Sequence, residues 1–234
     1  MTAVPVAPGT HFGQGLTEPY ALALAKGAGT LTLRPDTEQS ADAVDFDVRG
    51  WCADASPAEL SLLKDLDGPL LDVGCGPGRL LSAAHNLGLT AWGIDTSAEA
   101  VSRARSRGAR VLEQSIFDPV PHTGQWQSVI LFDGNIGIGG GITALLRRCR
   151  HLIAPHGTLL VEVDADDELD TVYTAVLEDS AGNRSAPFRW ARTGTGGIEA
   201  RALRSGWTVA SVHRVQDRVF CRLSPTAWPY RAAA

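Results

Sequence analysis

Three groups of residues have the types and spacing to do chemistry. The first lies in Leu70-Leu71-Asp72-Val73-Gly74-Cys75-Gly76-Pro77-Gly78-Arg79, where a short apolar run meets an acid and then a glycine-rich turn. Glycines let a ligand approach the main chain closely, and a helix opening there offers unpaired N–H groups to a carboxylate or phosphate. The spacing is G-x-G-x-G, and Arg79 stands where the dinucleotide fingerprint would carry its third glycine. No G-x-x-x-x-G-K-[ST] phosphate loop is present. The second group is Asp95, 23 residues after Asp72 and at the end of the next apolar run. A carboxylate there can accept both hydroxyls of a ribose. The third is Asp133-Gly134-Asn135-Ile136-Gly137-Ile138-Gly139-Gly140-Gly141, with five glycines in nine residues. Glycine is costly to order, so a run this dense implies close backbone approach to something, or a mobile gate.

The elements that must position these groups read as alternating strands and helices. Leu70 to Val73 is a strand, and Leu80, Leu81, Ala84 and Leu87 mark one face of the helix after it. Leu89 to Ile94 is the next strand. Thr96 or Ser97 can cap the following helix, which frees Asp95 for a ligand. That helix reaches about Gly108, and its Arg103, Arg105 and Arg107, with Arg110 beyond, read as a solvated face that offsets the helix dipole. Ala109 to Glu113 and Trp126 to Phe132 are strands, the second nearly all apolar as a strand buried on both faces should be. A helix with Leu145, Leu146, Cys149 and Leu152 on one side leads through a turn at Ala154 to Gly157, where His156 is expected to be solvated, into a strand from Thr158 to Val163. Thr171 to Glu178 and Arg184 to Trp190 read as an inserted hairpin. Thr195 to Arg204 is a helix, and Trp207 to Arg214 with Arg218 to Leu223 form a closing antiparallel pair. Before the core, residues 1–17 begin unstructured and Glu18 to Lys26 makes a short helix. Thr30 to Arg34 and Ala43 to Trp51 then form a hairpin across a polar loop, Pro35 to Asp42. Ser56, Pro57 and Glu59 give a helix start with a capping box.

The D-V-G-C-G-P-G stretch resembles motif I of the class I S-adenosylmethionine-dependent methyltransferases, and the resemblance runs to about residue 165. It implies an α/β fold: a Rossmann-like class I methyltransferase sheet, mostly parallel with an antiparallel last strand, and helices on both faces. Residues 1–55 would be an N-terminal lid, 56–224 the methyltransferase domain with 171–192 as an inserted β-hairpin, and 225–234 a tail. The cofactor would be S-adenosyl-L-methionine, with S-adenosyl-L-homocysteine as product. Its amino-acid end would lie over Gly74, Cys75, Gly76 and Gly78, with Asp72 near the amino group and the ribose on Asp95 beside Thr96. Ser115 stands where many members place an acid against the adenine amine, and Ile116 or Phe117 can pack on the adenine face. Asp118 is a substitute acid offset by three residues. In the lid, His11, Phe12, Tyr20 and Trp51 either cover cofactor and substrate or pack the hairpin onto the domain.

Methyl transfer from a sulfonium needs acceptor, methyl and sulfur held in line, and a general base only for an acceptor of high pKa. Asp133 and Asn135 are the acceptor-side candidates: Asp133 to orient or deprotonate the acceptor or stabilise the sulfonium, Asn135 to hydrogen-bond the acceptor. His11 is the reserve base. The plainer alternative has Asp133 capping the next helix and the glycines only easing a tight crossing.

The formal charge of −5 argues against a nucleic-acid footprint, and with the short chain favours a small-molecule acceptor, by O- or N-methylation. The four scattered cysteines show no zinc spacing, no stretch approaches the roughly 20 apolar residues of a membrane span, and the start lacks a signal-peptide pattern. A cytoplasmic protein without a metal follows, a monomer or homodimer with no nucleic-acid or membrane partner. The competing reading is a non-catalytic cofactor-binding or partner-binding protein on the same fold.

Overall fold

The computed structural model describes residues 11–13, 18–36 and 43–226. Expectations placed on residues 1–10, 14–17, 37–42 and 227–234 lie outside the described residues.

Two sheets make up the molecule. The larger has seven strands: β3 (Leu70–Val73), β4 (Ala91–Asp95), β5 (Val111–Glu113), β6 (Trp126–Leu131), β7 (Ile153–Val163), β10 (Trp207–Val215) and β11 (Arg218–Pro225), in the order β10-β11-β7-β6-β3-β4-β5. The pairs among β3 to β7 are parallel, and β11 runs antiparallel to both of its neighbours. The chain adds β4 and β5 to one side of β3 and then returns to place β6 on the other. That reversal opens a crevice beyond the carboxyl ends of β3 and β6, where ligands bind in open α/β sheets.

Successive side chains of β3 show why both faces are covered. Leu70 packs with Leu62, Leu63 and Leu66 and with Leu80 and Ala83, from α3 (Pro57–Lys64), the residues after it and α4 (Arg79–Asn86). Leu71 packs on the opposite face with Leu145, Leu146 and Cys149 of α6 (Ile142–Leu152). Strand residues alternate by face, so this period places a helical layer on each side. The expected capping box is present: Ser56 Oγ accepts from the Glu59 N–H and the Glu59 carboxylate from the Ser56 N–H.

The smaller sheet was not foreseen. The N-terminal hairpin, β1 (Thr30–Pro35) and β2 (Val44–Asp47), joins the inserted hairpin, β8 (Asp170–Asp179) and β9 (Phe188–Thr193), in one antiparallel sheet of order β2-β1-β8-β9. Helix α1 (Pro19–Lys26) packs on it through Tyr20, Ala23 and Leu24. The strand expected from Ala43 to Trp51 stops at Asp47, whose side chain accepts the Arg49 N–H and starts a short helix, α2 (Val48–Cys52). Of the four arginines expected to be solvated, Arg105 and Arg110 are exposed, while Arg103 and Arg107 are straps instead. In and beyond α5 (Ala98–Ser106), Arg103 donates to the Ala25 carbonyl, and Arg107 to the carbonyls of Cys52 and Ala53. They tie the N-terminal helices to the larger domain. Backbone carbonyls at the ends of those helices attract cations, which explains the choice of partner. The strand β7 begins at Ile153, directly after α6, and passes through an irregularity before Thr158; His156 is exposed, as expected.

Candidate active site

A cavity of about 530 Å³ lies between the carboxyl edge of the larger sheet and the smaller sheet. The larger sheet supplies Gly74 after β3, Asp95 and Thr96 at the end of β4, Ser115 to Phe117 after β5, and Asp133, Asn135, Ile138 and Gly139 after β6. The smaller sheet and its helices supply Phe12, Tyr20, Trp51, Arg189 and Trp190, and His11 also lines the wall. Of the sequence-derived cofactor residues, Asp72, Cys75, Gly76 and Gly78 do not line it. The Cys75 side chain is buried with Leu81, Val101 and Ala104, and burial pushes its thiol well above the usual range. Gly78 is needed for packing, because a Cβ there would come within 2.9 Å of Ala104.

Gly74 is where the backbone must come close. Its φ is 71°, and a Cβ would lie 2.6 Å from the Asn135 amide nitrogen. That amide donates to the carbonyls of Val73 and Gly74, each at 2.9 Å. Asn135 therefore holds the glycine turn in shape, and its N–H groups are committed to that task rather than offered to an acceptor. Asp95 is anchored by two backbone donors: Gly76 N–H to one oxygen and Ser97 N–H to the other, both at 2.8 Å. Each carboxylate oxygen has a second lone pair, and Asp95 lines the cavity. Ser97 caps α5, as one of the two expected candidates. Burial raises the Asp95 pKa, against the pull of its backbone donors.

Beneath the cavity lies a set of five charges that sequence reasoning missed. Arg79 donates to both oxygens of Asp133, at 2.8 and 3.0 Å, and to Glu59. Arg218 donates to Glu162 and to Glu59 at 2.7 Å, and reaches Asp133 at 3.3 Å. Burial works against ionising Glu59, yet the bonds and charge of Arg79, with Arg218, bring its pKa down to about 2. The Asp133 N–H also donates to Glu162. Two expectations change here. Asp133 does not cap α6, whose cap is Gly141 without a side-chain bond. Nor is it placed to deprotonate an acceptor, since two guanidiniums already occupy its oxygens. The available signals were Arg79 in place of a glycine and a capping Glu59 with a second oxygen to spare.

The glycine run after β6 is explained by the smaller sheet. A Cβ on Gly137 would sit 2.4 Å from the Ala191 carbonyl, and one on Gly140 2.8 Å from the Arg189 Cβ. The loop passes directly under β9, and that strand is what its backbone approaches. Ser115 accepts the Phe117 N–H, while the substitute acid Asp118 accepts the Ser115 N–H. Ile116 is buried and Phe117 is 46% exposed at the wall. Phe12 is ringed by Tyr20, Phe188 and Trp190 at centroid distances of 5.0, 5.7 and 5.4 Å. The N-terminal aromatics thus both pack the hairpin and line the cavity. His11 Nδ1 lies 3.3 Å from the Phe12 carbonyl.

These residues fit a nucleoside-bearing cofactor with an amino-acid tail. A carboxylate at the wall suits ribose hydroxyls, and Ile116 and Phe117 offer apolar surface to a planar base. Asp72, just below the glycine turn, is 1% exposed, and one of its oxygens has no partner among the described residues. Burial, opposed by Arg79 and reinforced by Asp133, Asp95 and Glu59, pushes its pKa up to about 8. A buried carboxylate in that state is suited to an incoming ammonium. Among the described residues no cluster of His, Cys, Asp or Glu is arranged to hold a metal ion, and no helix is long and apolar enough to cross a membrane.

Residues 70–157 match the family model described as a methyltransferase domain. A search of curated proteins finds no significant match. Among solved structures, an S-adenosylmethionine-dependent methyltransferase from Bacteroides fragilis, in complex with S-adenosyl-L-homocysteine, superposes with a TM-score of 0.74 at 18% identity, over 95% of this chain and 98% of that one. The 1,6-didemethyltoxoflavin-N1-methyltransferase of Burkholderia thailandensis gives 0.55 at 14% identity, over 73% and 77%. The glycopeptide N-methyltransferase MtfA, complexed with S-adenosyl-L-methionine, gives 0.55 at 15%, over 73% and 94%. The structures share the fold, and the family match falls on the strands and turns that carry Asp72, Gly74, Asp95, Asp133 and Asn135. Residues 70–157 thus match a methyltransferase domain, and the chain as a whole has the fold of S-adenosylmethionine-dependent methyltransferases of known structure.

Proposed function

We propose that the enzyme methylates an oxygen or nitrogen of a small-molecule acceptor held beneath the smaller sheet. The observation that carries this is the cavity itself: about 530 Å³, roofed by Phe12, Tyr20, Trp51 and Trp190. A pocket of this size suits a small ligand beside a cofactor. Two of the similar structures are named for N-methylation of a toxoflavin precursor and of a glycopeptide, which agrees with small natural-product acceptors.

In this reading the chain's residues bind, orient and exclude water. Asp95 accepts the ribose hydroxyls, and Ser115, Ile116 and Phe117 flank the base. Asp72 takes the amino group, directly or through water, and Gly74, braced by Asn135, lets the tail lie close to the main chain. The cofactor, when bound, supplies a methyl group on a sulfonium, already activated for transfer. The protein then contributes mainly proximity and orientation. Asp133 acts as a positioning residue, holding the loop after β6 against Arg79. His11, on the cavity wall, is the reserve base. The described residues of the N-terminal segment, 11–13, 18–36 and 43–55, act together with 171–192 as the cover of the site.

The test is calorimetry with S-adenosyl-L-homocysteine, followed by product formation across a panel of phenols, amines and heteroaromatics. Tight binding that weakens at least tenfold in Asp95→Ala, with turnover of some member of the panel, is the expected result. Binding unaffected by Asp95→Ala would remove the ribose assignment.

A further inference from the structure

Two guanidiniums line the cavity, and they are not equivalent. Arg79 is consumed by Glu59 and Asp133. Arg189, on β9, is exposed and has no hydrogen bond or ion pair among the described residues. Its strand-mate Arg192 is bound by Asp164 through two nitrogens. Of the acids on the cavity wall, Asp133 is filled by two guanidiniums, and Asp95 is at the end of β4 and makes no bond to Arg189. A cation left unpaired on a cavity wall is free for a ligand's charge.

Its place points to the acceptor rather than the cofactor. Arg189 Cβ packs over Gly140, and the Trp190 ring packs over Gly137, so both flank the loop after β6. The glycine turn that would hold the amino-acid tail has other neighbours: Asn135 at Gly74 and the Tyr20 hydroxyl at Gly76. We propose that Arg189 binds a carboxylate on a planar aromatic acceptor, whose ring lies against Phe12 and Trp190. A single guanidinium matches one carboxylate through its planar fork. A phosphate dianion would need a second free cation, and Arg79 is not one. Aromatic walls favour an aryl body by offset or edge-on ring contact. The inference rests on the reading of this cavity as a small-molecule methylation site.

The experiment uses the full chain saturated with S-adenosyl-L-homocysteine and calorimetric titration of two matched pairs: salicylate against salicylamide, and anthranilate against anthranilamide. Each pair differs in charge at one group. The acid should bind at least tenfold more tightly than its amide. Arg189→Gln should erase that preference by weakening the acid alone, Arg189→Lys should keep part of it, and both should leave S-adenosyl-L-homocysteine affinity unchanged. No preference for the acid in either pair, whether or not the compounds bind, overturns the proposal. So does a preference that survives Arg189→Gln, or a loss of S-adenosyl-L-homocysteine affinity matching the loss of acid, which would assign Arg189 to the cofactor. Failure of the wild-type protein to bind S-adenosyl-L-homocysteine would bring down the reading of the cavity itself, and this inference with it.

Discussion

The floor and the roof of the cavity are held by opposite kinds of interaction. Below lie Glu59, Arg79, Asp133, Glu162 and Arg218, brought from α3, α4, the end of β6, β7 and β11 and joined by charge-assisted hydrogen bonds. Above lie Phe12, Tyr20, Phe46, Trp51, Phe188 and Trp190, packed ring against ring. Hydrogen-bonded charges demand particular distances and angles, so the floor sets geometry for the turns around the cofactor. Ring packing is non-directional by comparison and tolerates a change of occupant. In the proposed function the methyl donor relies on the first property and the acceptor on the second. The comparison can be broken at either surface and at the seam between them.

The largest effect is expected from Arg79→Leu. It leaves the buried Glu59 and the half-buried Asp133 without their main counter-charge, and removal of one partner from such a set costs about 3–5 kcal/mol. The denaturant midpoint should fall accordingly. Adding Glu59→Leu should cost less than the sum of the single changes, because the two residues share one interaction. Strict additivity would mean that the floor is a collection of separate pairs. Acid should have a similar direction of effect. Glu59 carries a folded-state pKa of about 2, below its ordinary carboxylate value. Its contribution is therefore present at neutral pH and is lost as the pH falls from about 4.5 toward 2.

At the seam, Gly137→Ala forces a Cβ to within 2.4 Å of the Ala191 carbonyl. That backbone oxygen and the packed Trp190 ring, at 2.5 and 2.6 Å, leave no loose side-chain end to move, so overpacking of about 1–3 kcal/mol is expected. The readout that separates seam from floor is hydrogen exchange: β8 and β9 should lose protection while β3 and β6 keep theirs. Uniform loss across both sheets would mean that the two fold as one unit.

A smaller effect is expected from Asp133→Asn. As a positioning residue it should lower turnover by roughly tenfold, about 1.4 kcal/mol in the barrier. The shape of the pH–rate profile should be retained. A general base would instead take the acidic limb of that profile with it. Loss of that limb would return Asp133 to the role that the sequence alone allowed.

How far the sequence carried differs between floor and roof for physical reasons. The larger sheet was legible because each element has a local cause: glycines at a turn, a capping box at Ser56, apolar runs for strands covered on both faces. Asp95, Gly74 and the cavity position of Phe117 follow from where strands end. The floor was hidden because its partners are up to 159 residues apart, as Glu59 and Arg218 are, and no local pattern announces an ion pair at that range. The union of two hairpins in one sheet was hidden for a related reason. Edge strands carry no label for their partner, and β1 and β8 find each other only once both are in place. The glycine run was read correctly as a close approach, but the thing approached, β9, lies some fifty residues further along the chain.

The last test concerns the oxygen of Asp72 that has no partner, at the boundary between floor and glycine turn. With a pKa near 8 the group is mostly protonated at pH 7. An ammonium brought against it favours the carboxylate and lowers that pKa, so binding of an amino-acid tail should expel a proton. Calorimetric titration of S-adenosyl-L-homocysteine at pH 7, in buffers of different ionisation enthalpy, should show release of up to about one proton per site. The sign is fixed by the direction of the shift. Affinity should rise with pH up to about 8, and the release should shrink above it, because the free protein has then already lost the proton. Asp72→Asn should bind more weakly at pH 8 and release no proton at any pH. Proton uptake on binding, or release that persists in Asp72→Asn, would show that Asp72 is a buried structural acid and that the amino group is held elsewhere on the turn.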